Sequence, residues 1–90
     1  MSHTIENKAR LLSRVRRIKG QLEAVERALE AETPCIEILR QIASIRGAAG
    51  SLSLEVIEGH VRKHVMDVSD PEERKHGGEE VIEVIKTYLK

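Results

Sequence analysis

Apolar positions recur at helical spacing in three segments of the 90-residue chain, which are separated by short polar stretches. The first segment is predicted to run from about residue 4 to residue 32. Its apolar residues follow one another at intervals of three, four or seven: Ile5, Leu12, Val15, Ile18, Leu22, Val25 and Leu29. Such intervals place side chains on one face of an α-helix, and no stretch shows the alternation of a β-strand. The pattern therefore predicts an all-α fold.

The second apolar segment begins abruptly and is long. Thr33 is a good N-cap residue, and Pro34 suits the first position of a helix. A helical stripe then continues to about residue 65. Gly47-Ala48-Ala49-Gly50 interrupts its middle, and each interior glycine costs a helix about 1 kcal/mol relative to alanine. These four residues mark either a turn between two shorter helices or a point where another helix approaches closely.

The last segment is the shortest and contains signals for both a helix start and a helix break. Asp70 is a candidate N-cap, Pro71 follows it, and Glu73 is placed to close a capping box. Gly77-Gly78 is predicted to break this capped turn. The apolar residues beyond the glycines predict a final amphipathic helix: Val81, Ile82, Ile85 and Leu89.

Composition limits how such a chain can fold. It has no Phe, no Trp and one Tyr, so an apolar core built from it is thin, and a chain of this size buries only about two-thirds of its surface alone. We therefore expect a helical oligomer that completes its core between subunits. No apolar run reaches the roughly 18 to 20 residues of a membrane span, and the first residues lack a hydrophobic signal core. A cytoplasmic protein without a membrane partner is expected.

The net charge of zero conceals an uneven distribution of charge. Residues 1–20 contain six Lys or Arg and one Glu, whereas residues 21–37 contain five Glu and one Arg. At roughly 100° per residue, one stripe of the first helix holds Arg10, Arg14, Arg17 and Gln21. A basic stripe suits a phosphate backbone, and the lack of interleaved aromatic residues favours duplex DNA over a single strand. The alternative is a solvated helix face.

Three side chains form the strongest candidate metal site: Cys35, His60 and His64. The two histidines are four residues apart, so they project from one helix face. Cys35 lies near the start of the second helix, where the helix dipole favours the thiolate. A thiolate with imidazoles suits Co, Ni, Zn or Cu. The alternatives are ordinary surface histidines and a cysteine buried as a small hydrophobic residue.

The spacing of these ligands restricts how they can meet. Cys35 and His60 are 25 residues apart, which is about 37 Å along a continuous helix. Either the chain turns at Gly47-Ala48-Ala49-Gly50, or two copies of a long helix pack antiparallel about a two-fold axis. In the second arrangement, Cys35 of one subunit meets His60 and His64 of the other, and the dimer forms two sites. The thin core favours the dimer.

Two further features lie outside this ligand set. His3, near the N-terminus, is a candidate fourth ligand. Removal of Met1 before the small Ser2 would leave an amine nitrogen beside it. His76, next to Gly77-Gly78, is predicted to be an ordinary loop histidine.

Four stretches match a known family in order and spacing: RVRRIKGQLEAVERAL, CIEILRQIASIRGAAGSL, EVIEGHVRKH and IKTYLK. They resemble the CsoR/RcnR/FrmR family of bacterial transcriptional repressors over essentially the whole chain. The resemblance implies a three-helix protomer with a long central helix, antiparallel dimers, and a dimer of dimers that binds operator DNA. Residues 1–90 then form a single domain that binds DNA and senses an effector, without enzymatic activity. Effector binding in this family weakens DNA affinity and derepresses an export or detoxification operon.

The ligand positions distinguish the branches of this family. Copper sensors have a Cys-His-Cys set, but this chain has His64 at the third position, which disfavours copper. Persulfide sensors need two cysteines, and this chain has only Cys35. The nickel and cobalt sensors have a His, Cys, His, His set, which matches His3, Cys35, His60 and His64. The resemblance thus implies a repressor of a metal efflux operon that is released by Ni(II) or Co(II), with Zn(II) as a further candidate effector.

A formaldehyde-responsive repressor of a detoxification operon is the alternative. Formaldehyde sensors of this family join an N-terminal proline amine to the cysteine by a methylene bridge. This chain has Ser2 instead, whose primary amine could still condense with formaldehyde beside Cys35. The stretch RVRRIKGQLEAVERALE is more similar to this branch than to the nickel branch.

The basic residues that we assign to DNA phosphates lie in two matching stretches: Arg14, Arg16, Arg17, Lys19 and Arg46. Two other classes of protein remain as competitors. A small metal carrier or buffer would use the same ligands without the basic helix. An enzyme would use Cys35 as a nucleophile with a histidine as base, but nothing in a helical chain without Phe or Trp indicates a substrate pocket.

Overall fold

The structure, a computed structural model, describes residues 7–89. It contains three α-helices and one π-helical segment: α1 (Lys8–Glu30), α2 (Cys35–Val61), the π segment (Arg62–Met66) and α3 (Pro71–Tyr88). The described residues contain no β-strand, which confirms the all-α prediction. None of these helices combines the length and apolar character that a membrane span requires. Ser2 and His3 lie outside the described residues.

The end of α1 is a Schellman motif whose left-handed residue is Glu32. The N–H of Thr33 donates to the carbonyl of Ala28 at 3.0 Å, and the N–H of Glu32 donates to the carbonyl of Leu29 at 3.1 Å. Glu32 has a φ of 57°, a conformation in which a residue with a Cβ is strained by roughly 1–2 kcal/mol. Because this left-handed residue stops the helix, α1 ends at Glu30 and not at residue 32 as predicted.

The start of α2 lies one residue beyond the predicted start. The carbonyl of Pro34 accepts from the N–H of Glu37 at 3.0 Å and from that of Ile38 at 3.4 Å. Pro34 therefore occupies the cap position, and Thr33, the predicted N-cap, lies one residue outside the helix. The shift is within the one or two residues by which helix ends ordinarily vary.

The middle of α2 is continuous through Gly47-Ala48-Ala49-Gly50, so the alternative of a turn there is wrong. Cys35 and His60 accordingly belong to opposite ends of one helix. A Cβ added at Gly47 or Gly50 would meet nothing within 4 Å. The described chain therefore shows no steric need for either glycine. The π segment extends the helical stretch to Met66, close to the predicted end.

The third helix is longer than the sequence predicts. Asp70 caps it as expected, because its carboxylate accepts the N–H of Glu73 at 3.0 Å. However, α3 continues through Gly77-Gly78 to Tyr88, so the predicted break is wrong. His76 consequently lies inside a helix and not in a loop. Gly77 is buried against the π segment, and we attribute the survival of the helix at two poor helix formers to this packing.

The described residues form two compact units, Asn7–Ser53 and residues 54–89. In the first unit Ala28 is the buried apolar residue, and large apolar side chains are exposed: Val15, Leu22, Leu29, Ile36, Leu39 and Ile42. The second unit likewise exposes Leu54, Met66, Ile82, Val84, Ile85, Tyr88 and Leu89. Such exposure is unusual for a monomer with a closed core. It agrees with a core completed between subunits, and the oligomer itself stays a prediction.

The substitution Glu32→Gly is expected to raise the free energy of unfolding by about 0.5–1 kcal/mol, because glycine adopts a positive φ without strain. Urea denaturation at one fixed protein concentration measures the change. Glu30→Gly is the control, because it places the same residue in right-handed helix, where a loss of about 0.5–1 kcal/mol is expected. Destabilisation by both substitutions would contradict the role of Glu32.

Candidate functional site

Two histidines lie side by side where α2 passes into the π segment. His60 is in the last turn of α2, and His64 is inside the π segment. Their ring centroids are 4.7 Å apart with an angle of 39° between the ring planes. Both residues are partly buried. The structure thus brings together the pair that the spacing predicted, at a π segment of the kind that often accompanies functional sites.

Two groups of α3 orient the imidazole of His60. Its Nε2 lies 3.1 Å from the carbonyl oxygen of Gly77 and 3.6 Å from Oε1 of Glu80. A carbonyl oxygen can only accept, so the hydrogen bond with Gly77 requires a proton on Nε2. In the neutral ring, Nδ1 is then the nitrogen with the lone pair. A ligand nitrogen held by a hydrogen bond from the opposite ring nitrogen is the usual arrangement of a metal-binding histidine.

The backbone of α3 approaches His64 at Gly77. A Cβ at position 77 would overlap the carbonyl oxygen of His64 and would lie 2.9 Å from its carbonyl carbon. A Cβ at Gly78, the next residue, would meet nothing within 4 Å. The close contact therefore requires glycine at position 77 but not at position 78.

A hollow beside His64 is acidic. It is lined by three carboxylate side chains of α3, namely Glu72, Glu73 and Glu80, together with His76, Gly77 and Val68. Nε2 of His76 lies 3.8 Å from Oε2 of Glu80. The carboxylates give this hollow a negative charge. Glu80 and Gly77 were not predicted to lie beside His60, because a helix broken at Gly77-Gly78 would not place them there.

Cys35 is the first residue of α2, and it is exposed. The alternative of a cysteine buried as a small hydrophobic residue is therefore wrong for the described chain. Cys35 belongs to the unit Asn7–Ser53, whereas both histidines belong to residues 54–89. Within residues 7–89, no three His, Cys, Asp or Glu side chains form a group that could hold a metal ion. The described chain thus brings His60 and His64 together but does not bring Cys35 to them.

A basic cleft lies between α1 and α2 in the first unit. One wall contains the predicted stripe of Arg10, Arg14, Arg17 and Gln21, with Ser13 beside it. Nε2 of Gln21 donates to Oγ of Ser44 at 3.2 Å, which links the two walls. The guanidinium groups and hydroxyl groups of this cleft are suited to a phosphate oxygen.

The opposite wall of the basic cleft was not predicted. It consists of small residues of α2 at positions i, i+3, i+4 and i+7: Ser44, Gly47, Ala48 and Ser51. This spacing on one helix face is the signal that could have identified them. Three basic residues assigned to DNA do not line the cleft and are exposed elsewhere: Arg16, Lys19 and Arg46.

The contrast between the two glycines of α3 leads to a stability prediction. Gly77→Ala should lower the free energy of unfolding by about 1–3 kcal/mol, because a methyl group overlaps the backbone of His64. Gly78→Ala should raise it by up to about 1 kcal/mol, because alanine favours the helix and has space. Chemical denaturation of both variants tests the contrast, and equal effects would contradict the packing at Gly77.

Comparison with known proteins gives matches that span nearly the whole chain. Residues 7–89 match a family model described as "Metal-sensitive transcriptional repressor". The chain is 40% identical over 90 residues to the transcriptional repressor RcnR of Citrobacter koseri, and the match covers 100% of both chains. It is 47% identical over 91 residues to an uncharacterized protein in the bioA 5′ region of Serratia marcescens, again with 100% of both covered.

A solved structure gives the same result for the fold. The structure is of a Glu-to-His variant of FrmR, a formaldehyde-responsive regulator from Salmonella enterica serovar Typhimurium. It is similar to this chain with a TM-score of 0.84 and 45% sequence identity, and the match covers 93% of this chain and 96% of that one. These matches confirm the resemblance found in the sequence: the chain belongs to the CsoR/RcnR/FrmR family of transcriptional repressors, whose members are not enzymes.

Proposed function

We propose that this protein is an operator-binding repressor of a metal efflux operon that is released by Ni(II) or Co(II). The adjacent imidazoles of His60 and His64, with centroids 4.7 Å apart, are the observation on which the proposal rests. Cys35 of a second subunit completes the core of the effector site. His3 and the N-terminal amine add further nitrogen ligands.

The chemistry of the donors fits these metals. Two imidazoles and one thiolate form a borderline-soft set, which suits Ni(II), Co(II) and Zn(II) better than a hard cation. The carboxylates of the acidic hollow lie beside His64 and add negative charge. The similarity to a repressor named RcnR and to a metal-sensitive family supports a metal effector. Selection among these metals depends on their availability in the cell.

The location of the ligands supports a site shared by two subunits. Cys35 and His60 lie at opposite ends of the continuous helix α2, and residues 7–89 contain no ready three-ligand group. Two copies of α2 that cross antiparallel about a two-fold axis would bring Cys35 of each copy towards the histidine pair of the other. Ala49 and Gly50 lie near the midpoint between Cys35 and His60. Both are exposed, and a Cβ at Gly50 would meet nothing within 4 Å.

The basic cleft is the part of the protein that we assign to operator DNA. Arg14 and Arg17 line it together with Arg10, and phosphate contacts from these residues would position the protein on duplex DNA. Arg16, Lys19 and Arg46 are exposed and are assigned to flanking phosphates. A homotetramer built as a dimer of dimers would present several such clefts to one operator.

Release from DNA requires a difference in affinity between two states. Metal must bind the DNA-incompetent state more tightly than the DNA-bound state. By thermodynamic linkage, operator DNA must then weaken metal binding by the same factor.

Formaldehyde is the second candidate effector. The 45% identity to a variant of a formaldehyde-responsive regulator and the exposure of Cys35 favour it. The primary amine of Ser2 and the thiol of Cys35 would each bond to the carbon of formaldehyde. One methylene bridge would form, and the carbonyl oxygen would leave as water.

A Co(II) titration of the reduced protein without bound metal tests the metal site. We expect a near-ultraviolet thiolate-to-cobalt band that is lost in Cys35→Ala. His64→Ala should weaken Co(II) binding by at least about tenfold, because a ligand is removed. His76→Ala is the control and should bind like the unaltered protein, because His76 is not assigned as a ligand.

The absence of a thiolate band in the unaltered protein would contradict the metal proposal. Mass spectrometry after exposure to formaldehyde then tests the second candidate. A mass increase of one carbon atom that Cys35→Ala abolishes would indicate the methylene bridge.

Measurements of DNA affinity at several salt concentrations test the basic cleft. Arg14→Ala and Arg17→Ala should each weaken binding to the protein's own promoter DNA. Each should also reduce the slope of log affinity against log salt by about 0.9, the value for one phosphate contact. Arg27→Ala is the matched control, because Arg27 is in the last turn of α1 and does not line the cleft. Equal slopes for Arg17→Ala and Arg27→Ala would remove Arg17 from the interface.

A further inference from the structure

Gly77 is the point at which α3 contacts both histidines of the pair. Its carbonyl oxygen lies 3.1 Å from Nε2 of His60, and its Cα faces the backbone of His64. We propose that Gly77 is a positioning residue that fixes the proton of His60 and the location of His64 through these two contacts. The consequence for metal affinity rests on the function proposed above, whereas the consequence for the proton of His60 does not.

The first contact determines which nitrogen of His60 is protonated. The carbonyl of Gly77 accepts from Nε2–H, and the side chain of His60 is only 21% exposed, so water competes poorly for this proton. Nδ1 is then the nitrogen able to bind a cation. Glu80, three residues further along α3, is near the same Nε2 at 3.6 Å. A displacement of α3 would therefore move both partners of His60 together.

The second contact sets how closely α3 can approach. Gly77 is buried, and any side chain there would overlap the carbonyl oxygen of His64. A larger residue would have to push the helix away from the π segment. The carbonyl of residue 77 would then leave hydrogen-bonding distance of His60. Glycine is thus needed both for the contact with His64 and for the hydrogen bond to His60.

A comparison with Gly78 shows that glycine is required at position 77 and not at its neighbour. Both glycines are inside α3, and both weaken the helix by about 1 kcal/mol relative to alanine. Only Gly77 has a neighbour that excludes a Cβ; Gly78 has none within 4 Å. Gly78→Ala is therefore a matched control with the same chemical change one residue away.

The test uses the full-length protein labelled with 15N at histidine, without metal, at a pH where imidazole is neutral. Long-range 1H–15N NMR spectra identify the protonated nitrogen of each ring. We expect His60 to be protonated at Nε2 in the unaltered protein and in Gly78→Ala. In Gly77→Ala we expect the proton to be distributed over Nε2 and Nδ1. A purely structural role for Gly77 would lower stability without changing this proton.

Co(II) affinity is the second measurement. Gly77→Ala should bind Co(II) about 10–100-fold more weakly, as is typical when a group that orients a metal ligand is lost. Gly78→Ala should bind within about twofold of the unaltered protein.

The outcomes separate the two proposals. A proton on Nδ1 of His60 in the unaltered protein would overturn the role of Gly77, and this result needs no variant to fold. A folded Gly77→Ala protein that keeps the Nε2 proton would overturn it as well. If Gly77→Ala changes the proton but no protein binds Co(II), the positioning role is supported and the proposed metal function fails.

Discussion

The continuity of α2 is the constraint on which the other features depend. One helix from Cys35 to Val61 places the thiol and the histidine pair at its two ends. A metal site that uses both ends cannot be local to this helix, because the rise per residue in an α-helix is fixed at about 1.5 Å. A site built from Cys35 and the histidine pair would therefore need a second chain. In the proposed dimer, each effector site would then lie across the interface between two subunits.

The apolar surface of the protomer agrees with this requirement. Leucine, isoleucine and valine side chains on all three helices remain exposed, and few of the described residues are buried. A chain that leaves so much apolar surface in water gains stability when a partner covers it.

The small residues of α2 divide between two faces. Ser44, Gly47, Ala48 and Ser51 line the basic cleft, whereas Ala49 and Gly50 are outside it. One face of α2 thus lines the basic cleft, and these other two small residues of the helix are exposed outside it.

The sequence predicted the features that depend on local chemistry. The cap at Asp70, the basic stripe of α1 and the adjacency of His60 and His64 all follow from residue type and helical spacing. The wrong predictions concern one glycine and one residue in a position that glycine usually occupies. Gly77 was predicted to break a helix because glycine is a poor helix former. Its contact with His64 joins residues 13 positions apart, so no local pattern in the sequence reveals it. The end of α1 was missed because Glu32 occupies a left-handed position where glycine is the usual residue. The three-ligand set could be proposed from spacing, but residues 7–89 of one chain do not bring its members together.

The exposure of Cys35 has a consequence for the redox behaviour of the protein. Since the sequence has no second cysteine, any disulfide between copies of this chain must link Cys35 to Cys35. Such a bond would join the same end of two α2 helices. An antiparallel pair instead places each Cys35 near the opposite end of its partner. In the proposed dimer, oxidation would consume the thiolate and favour the wrong pairing of helices, so metal binding there would require conditions in which thiols are kept reduced.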